Sequence, residues 1–291
     1  MRGSTFNTAD KIQDQLHYDG HRVWGFVVYR CTYGDDAAWQ TFLERINASI
    51  RDSLEFHHGL DLLEEDCFKL TVLEDVSKFD GASVQLVREH FKGWRKNAVH
   101  EDQGTSEEIE ARRVKPEPIP VDDTWPKAEM NMELWTRLMG DVKEAPRKEP
   151  RLPFRIASSK NAYGYHCPAV RYTFCIQIDD AALQSIVSPE GKECYGDAWV
   201  NLIEADWDPE EAAKQREEDR VEHLETGGTL EEFEDCVEFF PEVDGCIEES
   251  VGWMKVQYKA LIPEFYEYLQ DPNTLERIYY RPPDMAGGLG G

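Results

Sequence analysis

The chain has 291 residues, 41% of them apolar and 11% aromatic, which is enough for a substantial core and excludes wholesale disorder. Its formal net charge of -26 disfavours nucleic acid and anionic membranes as partners, because their phosphates repel it. It has no apolar run of about 18 residues, the minimum for a membrane helix.

In chain order, residues 1–20 are polar, read as a short helix or loose arm, and lack the apolar centre of a secretory signal. Trp24 to Tyr33 reads as the first strand, with Phe26, Val27, Val28 and Tyr29 as β-formers. Asp35 or Asp36 can cap the next helix. Its apolar face is Trp39, Phe42, Leu43, Ile46 and Ile50. Phe68 to Leu73 alternates like a half-buried strand. Asp80-Gly81 opens a second helix, faced by Val84, Val87, Phe91 and Trp94. Prolines at 116, 118, 120, 126, 146, 150 and 153 then break the periodicity, which predicts a long insertion or lid over 99–168. Within it only Met130 to Met139 reads as helical.

The second half is more regular. Tyr172 to Ile178 predicts a strand, Ala181 to Val187 its helix and Trp199 to Ala205 another strand. An acidic excursion over 207–249 reads as helical at about 209–224 and 230–240. Trp253 to Tyr258 predicts a strand, Ile262 to Leu269 a helix and Arg277 to Arg281 a final strand before Pro282-Pro283.

Two stretches repeat each other. Asp35-Asp36-Ala37-Ala38-Trp39-Gln40-Thr41-Phe42-Leu43 matches Asp179-Asp180-Ala181-Ala182-Leu183-Gln184-Ser185-Ile186-Val187, and each follows an apolar run. Without the acidic insertion the second half reads β-α-β-β-α-β, the ferredoxin-like order. The expected fold is therefore a single α+β domain over 22–283, built from duplicated ferredoxin-like βαβ units. Half one spans 22–98 and half two 169–283. The sheet is mixed or antiparallel, with helices packed on one face.

The segments WGFVVYRCTYGDDAAW, FDGASVQLVREHFKGW, RYTFCIQIDDAAL, WVNLIEADWD, VGWMKV and IYYRPP resemble a set of uncharacterised predicted proteins of filamentous fungi, in the same order from Val23 to Pro283. The resemblance transfers no activity and no site residues. It implies an intracellular fungal protein, and the association of such proteins with natural-product pathways points toward small-molecule chemistry.

Seven cysteines (31, 67, 167, 175, 194, 236 and 246), odd in number and without a Cys-x-x-Cys pair, predict free thiols in a reducing compartment, here the cytoplasm. No metal is expected. His17 and His21 have i, i+4 spacing but no third ligand. Asp206, Asp208 and Glu210 open like a calcium loop, but Pro209 and Glu211 break it. Gly-x-Ser-x-Gly and Walker-type loops are absent, so no cofactor is predicted. Cys31 beside Arg30 reads as a buried, inert thiol more readily than as a nucleophile.

Strand alternation supplies the site hypothesis. Phe174, Ile176 and Ile178 oppose Arg171, Cys175 and Gln177, and Met254 and Val256 oppose Lys255 and Gln257. The second sheet face is thus polar and rather basic. It predicts a cleft for a small organic molecule, anionic or polar, under the insertion. Arg171 and Arg30 would anchor it, with Lys255 and Arg281 adding charge. Tyr29, Tyr33, Trp207, Trp253 and Tyr279 would form its rims. Glu204 and Asp206, at a strand end, are the candidate acid and base for an isomerase, cyclase or lyase step. The same alternation also fits an open sheet face whose bases pair with the acidic segment. The alternative function is a non-enzymatic interaction protein that docks a basic partner through 204–249.

Overall fold

The computed structural model describes residues 8–63, 67–102, 169–188, 198–236, 240–270, 275 and 277–286. All of these belong to one compact unit. The predicted insertion lies outside the described residues, except that 99–102 continue a helix.

Six strands form one mixed sheet: β1 Val27–Arg30, β2 Thr71–Leu73, β3 Phe174–Ile178, β4 Trp199–Glu204, β5 Trp253–Gln257 and β6 Met285–Ala286, in the order β2-β1-β3-β4-β5-β6. The pairs β1–β2, β1–β3 and β5–β6 are parallel, whereas β3–β4 and β4–β5 are antiparallel. The protein is therefore α+β with a mixed sheet.

Five helices start where the sequence supplies a side-chain oxygen to cap them, at Asp35, Asp75, Ser83, Asp179 and Asp208. Helix α1 is Thr8–Asp19 and α2 is Asp36–Phe56. The Asp35 carboxylate accepts the Ala38 N–H at 2.9 Å, satisfying an otherwise open donor of α2. A single turn, α3 Val76–Phe79, precedes α4 Val84–Glu101, which is capped by Ser83 rather than opened at Asp80-Gly81. The turn α5 Val170–Thr173 leads into β3, and α6 Asp180–Val187 follows it. Asp179 caps α6 by accepting the Ala182 N–H at 2.8 Å, so the two repeated segments share one capping bond. Helices α7 Pro209–Glu225 and α8 Leu230–Cys236 carry the acidic excursion.

The shared unit stops at strand, cap and helix. Helix α2 has 21 residues, about 30 Å at 1.5 Å per residue, which is long enough to return the chain to a parallel β2. Helix α6 has eight residues, about 12 Å, which is shorter than β3 beside it. The chain then enters β4 adjacent and antiparallel to β3. A ferredoxin-like unit instead sets the strands flanking its helix parallel, with another strand between them.

Helices cover both sheet faces, not one. On the first face Phe26, Val28, Ile176, Val200, Leu202 and Met254 pack with Ile12 of α1, Trp39, Phe42 and Ile46 of α2, and Leu183 of α6. On the second, Val27, Tyr29, Cys175 and Ile203 pack with Phe79 of α3 and with Val87 and Phe91 of α4. Each fully buried large apolar side chain contributes about 2 kcal/mol, so Val87 and Phe91 hold α4 on the sheet as Trp39, Phe42 and Ile46 hold α2.

Two expectations near the C-terminus are corrected. The helix at 262–269 is a succession of short 3-10, π and α turns over Tyr258–Tyr268, interrupted by the extended backbone of Ile262. Arg277 to Arg281 is not a strand. The Tyr279 N–H donates to the Leu275 carbonyl at 2.9 Å in a helical turn, which buries Ile278, and the terminal strand forms only at Met285–Ala286.

Candidate functional site

A cavity of about 650 Å³ opens where β3 begins, β4 ends and β5 begins. That volume suits a small organic ligand. Register explains its floor. Phe174 pairs with Glu204 and Leu202 with Met254, so these four side chains share one sheet face. Glu249, Ser250 and Gly252 contribute from the loop into β5 and Trp253 from its first position, and Leu275 and Tyr279 close the far wall. No described side chain of α1 to α8 lines it.

Glu204 is the carboxyl that the sheet itself brings to this cavity. It is half-buried, and among the described residues its carboxylate makes no hydrogen bond or ion pair. Burial raises its pKa above the usual carboxylate range. The nearby negative charge of Asp206 adds to this, and Arg88 opposes it.

Arg88 shapes the wall behind. It is 2% exposed and donates Nε to the Glu204 carbonyl at 2.9 Å and Nη2 to the Gly252 carbonyl at 2.9 Å. Its guanidinium lies 4.7 Å from the Trp207 ring. Gly252 has φ +69°, and a Cβ there would lie 2.3 Å from Trp207, so only glycine fits. Tyr279 Oη accepts the Val251 N–H at 3.0 Å, and Ser250 Oγ accepts the Gly252 N–H at 3.3 Å. Both hydroxyls are thereby fixed at the wall.

Of the residues singled out from sequence, Glu204, Trp253 and Tyr279 line the cavity. The others stand elsewhere. Asp206 lies past the end of β4 and pairs with both terminal nitrogens of Arg95 on α4. It therefore acts on Glu204 through its charge rather than beside it in the cavity. Arg171 is 2% exposed and bonds Asp102 Oδ2 at 3.0 Å, the Lys69 carbonyl at 3.1 Å and Thr71 Oγ1 at 2.8 Å. Arg30 and Tyr33 sit at the C-terminal end of β1, the opposite end of the sheet. There Arg30 bonds Asp36 and stacks 4.6 Å from the Tyr33 ring. Tyr29 is buried on the second face, its hydroxyl 2.9 Å from His90 Nδ1. Lys255 lies 4.3 Å from the Trp199 ring, and Arg281 holds the carbonyls of Glu248 and Cys246, each at 2.9 Å. Two buried polar positions of the second face are satisfied internally. Gln177 donates to the Ala82 carbonyl at 2.7 Å and Asn201 to Asp179 Oδ2 at 3.0 Å. The basic cleft expected there is replaced by packing against α4.

Sequence reasoning missed Phe174, Leu202 and Met254 as cavity walls because their alternation marks them as helix-packing residues. It missed Glu249, Ser250 and Gly252 because their loop carries no motif. Burial pushes the Cys31 thiol up to about 12, which disfavours a thiolate nucleophile. Cys31, Cys67, Cys175 and Cys246 are buried and form no disulfide. Among the described residues no group of three or more His, Cys, Asp or Glu is placed to hold a metal ion, and no helix is long and apolar enough to cross a membrane.

The site and fold thus define an α+β protein with an apolar cavity and one desolvated carboxyl. No family model matches the chain, and no curated protein or solved structure matches it.

Proposed function

We propose that this chain is a small-molecule enzyme or binder that works without a metal or nucleotide cofactor and that its ligand occupies the 650 Å³ cavity. One observation carries the reading: the unpaired, half-buried Glu204 carboxyl in an apolar cavity, with its pKa raised. A carboxyl kept only for structure is ordinarily paired or hydrogen-bonded when desolvated, and a shifted one in a concavity marks a functional site. A raised pKa brings the group nearer neutrality, where it can both give and take a proton. Glu204 then serves as general acid/base in an isomerase, cyclase or lyase step. Phe174, Leu202 and Met254 form the apolar wall, and Ser250 and Tyr279 orient polar groups. The fungal resemblance supports a place in cytoplasmic natural-product biosynthesis, and the common strand–cap–helix signature supports duplication of the two halves.

The test is a chemically diverse fragment screen followed at the carbon-13-labelled Met254 methyl. Hits shift Met254 in the native protein and fail to do so in Ser250→Trp and in the rim variant Glu249→Trp. Hits indifferent to both variants overturn the assignment. For the substrate so identified, Glu204→Gln lowers kcat by about 10²–10⁴-fold.

The alternative, an acidic interaction protein docking a basic partner through 204–249, is favoured by α7. None of that helix's described side chains is buried, and Val221 and Leu224 are exposed. A Lys/Arg-rich peptide that shifts α7 resonances and leaves Met254 unmoved supports this second reading.

A further inference from the structure

The chemistry of the cavity wall selects among ligands, and it selects against the anion that strand alternation suggested. Its polar groups are two carboxyls, Glu204 within and Glu249 at the exposed mouth, and the hydroxyls of Ser250 and Tyr279. Among the described residues that line it there is no Lys, Arg or His. The cations close by are turned to other acceptors. Arg88 directs Nε and Nη2 to main-chain carbonyls and Nη1 to Gln85 Oε1 at 2.6 Å. Arg281 directs Nε and Nη2 to the Glu248 and Cys246 carbonyls, and Arg216 pairs with Glu248 at 2.9 Å. A carboxylate or phosphate entering here meets repulsion and finds no cationic donor on the lining. A ligand ammonium meets the reverse: a desolvated carboxyl whose charged form it stabilises, and hydroxyl oxygens able to accept further hydrogen bonds. The remaining wall, Phe174, Leu202, Gly252, Trp253, Met254 and Leu275, is mainly apolar and matches a hydrocarbon body.

We infer that this cavity takes an amine carried on an apolar body, with the ammonium on Glu204, Glu249 at the mouth, and the body against Phe174, Leu202 and Met254. The inference rests on the small-molecule reading of the cavity and names the class of its ligand.

Three compounds of one shape test it: phenethylamine, phenethyl alcohol and phenylacetate, each titrated at neutral pH against the full chain with the Met254 methyl as reporter. The expected result is an amine Kd at least tenfold below that of the alcohol, and no Met254 shift with phenylacetate. Glu204→Gln is expected to abolish this preference, so that amine and alcohol bind alike. If Glu204→Gln fails to fold, the exposed Glu249→Gln serves instead, with amine binding weakened about threefold and alcohol binding unchanged. An alcohol or phenylacetate that binds as well as the amine overturns the amine assignment while leaving the cavity a ligand site. No Met254 shift from any of the three also overturns the amine assignment, and the diverse screen then decides the cavity reading separately.

Discussion

A guanidinium removed from water needs every donor answered, and Arg171 has Asp102, the Lys69 carbonyl and Thr71 to answer it. Asp102, itself 6% exposed, also accepts from the Tyr172 hydroxyl at 2.9 Å. Arg171→Ala leaves that carboxylate buried without its main charge partner, so the expected loss of stability is about 3–5 kcal/mol, read by urea denaturation. A variant that melts like the native protein returns Arg171 to the list of candidate ligand anchors. His21 belongs to the same cluster, its ring centroid 4.9 Å from that of Tyr172. Burial lowers its pKa to about 4; the Arg171 charge adds to this and the Asp102 charge opposes it. The folded value lies below the unfolded one, so the neutral ring is favoured. Its contribution is complete above about pH 6.5 and is lost as pH falls toward 4, reaching about 3 kcal/mol. Denaturation midpoints taken between pH 7 and pH 5 should fall, and His21→Leu should flatten that slope. An unchanged slope in the variant assigns the acid sensitivity to other groups.

At the scale of elements, the cavity depends on how the ends of β4 and β5 are fastened. Arg88 on α4 grips the carbonyls of Glu204 and Gly252, and Trp207 lies over the space a Gly252 side chain would need. Gly252→Ala should cost roughly 2 kcal/mol or more, combining a positive φ with displacement of Trp207. Gly227→Ala is the control, because it also has a positive φ but open space around its Cβ position, and about 1 kcal/mol is expected. Equal losses in the two variants would show that Trp207 moves aside freely. These contacts explain what the sequence disclosed and what it withheld. Strands, caps and helices were legible because alternation, an Asp before an apolar face and a 3-and-4 spacing are local signals. Asp35 and Asp179 cap as their repeated setting suggests. Strand direction was not legible, since β3 and β4 run antiparallel across an intervening helix. The covering of the second face by α4 was hidden too, because Val87 and Phe91 disclose an apolar stripe but not the surface it meets. Glu204 was legible as a carboxylate at a strand end. Its separation from Asp206 needed Arg95, which a linear reading could not place.

Over the whole molecule, charge is distributed unevenly. Residues 204–249 carry nineteen acids and three bases, a net of -16, while the remainder holds 39 acids and 29 bases. Those three bases are already in use. Lys214 lies 3.7 Å from Glu218, Arg220 pairs with Glu217, and Arg216 meets Glu248 at 2.9 Å. Only the last joins α7 to the loop at the cavity mouth, and it is partly buried on both sides. Salt therefore has two opposed effects. It weakens the pairs on the exposed face of α7, which contribute little in any case, about 0.3–0.5 kcal/mol each. It also screens repulsion among the surplus carboxylates, within about 10 Å at 0.1 M. Carboxylates far outnumber their partners in this segment, so the second effect is the larger. Raising sodium chloride from about 10 mM, where the Debye length is near 30 Å, to about 150 mM, where it is near 8 Å, should raise Tm. Arg216→Ala, which lowers the starting Tm and adds one more uncompensated charge, should steepen the rise. A Tm that stays level or falls over that range would mean the acidic face is neutralised within the molecule, leaving it no charge to offer a basic partner.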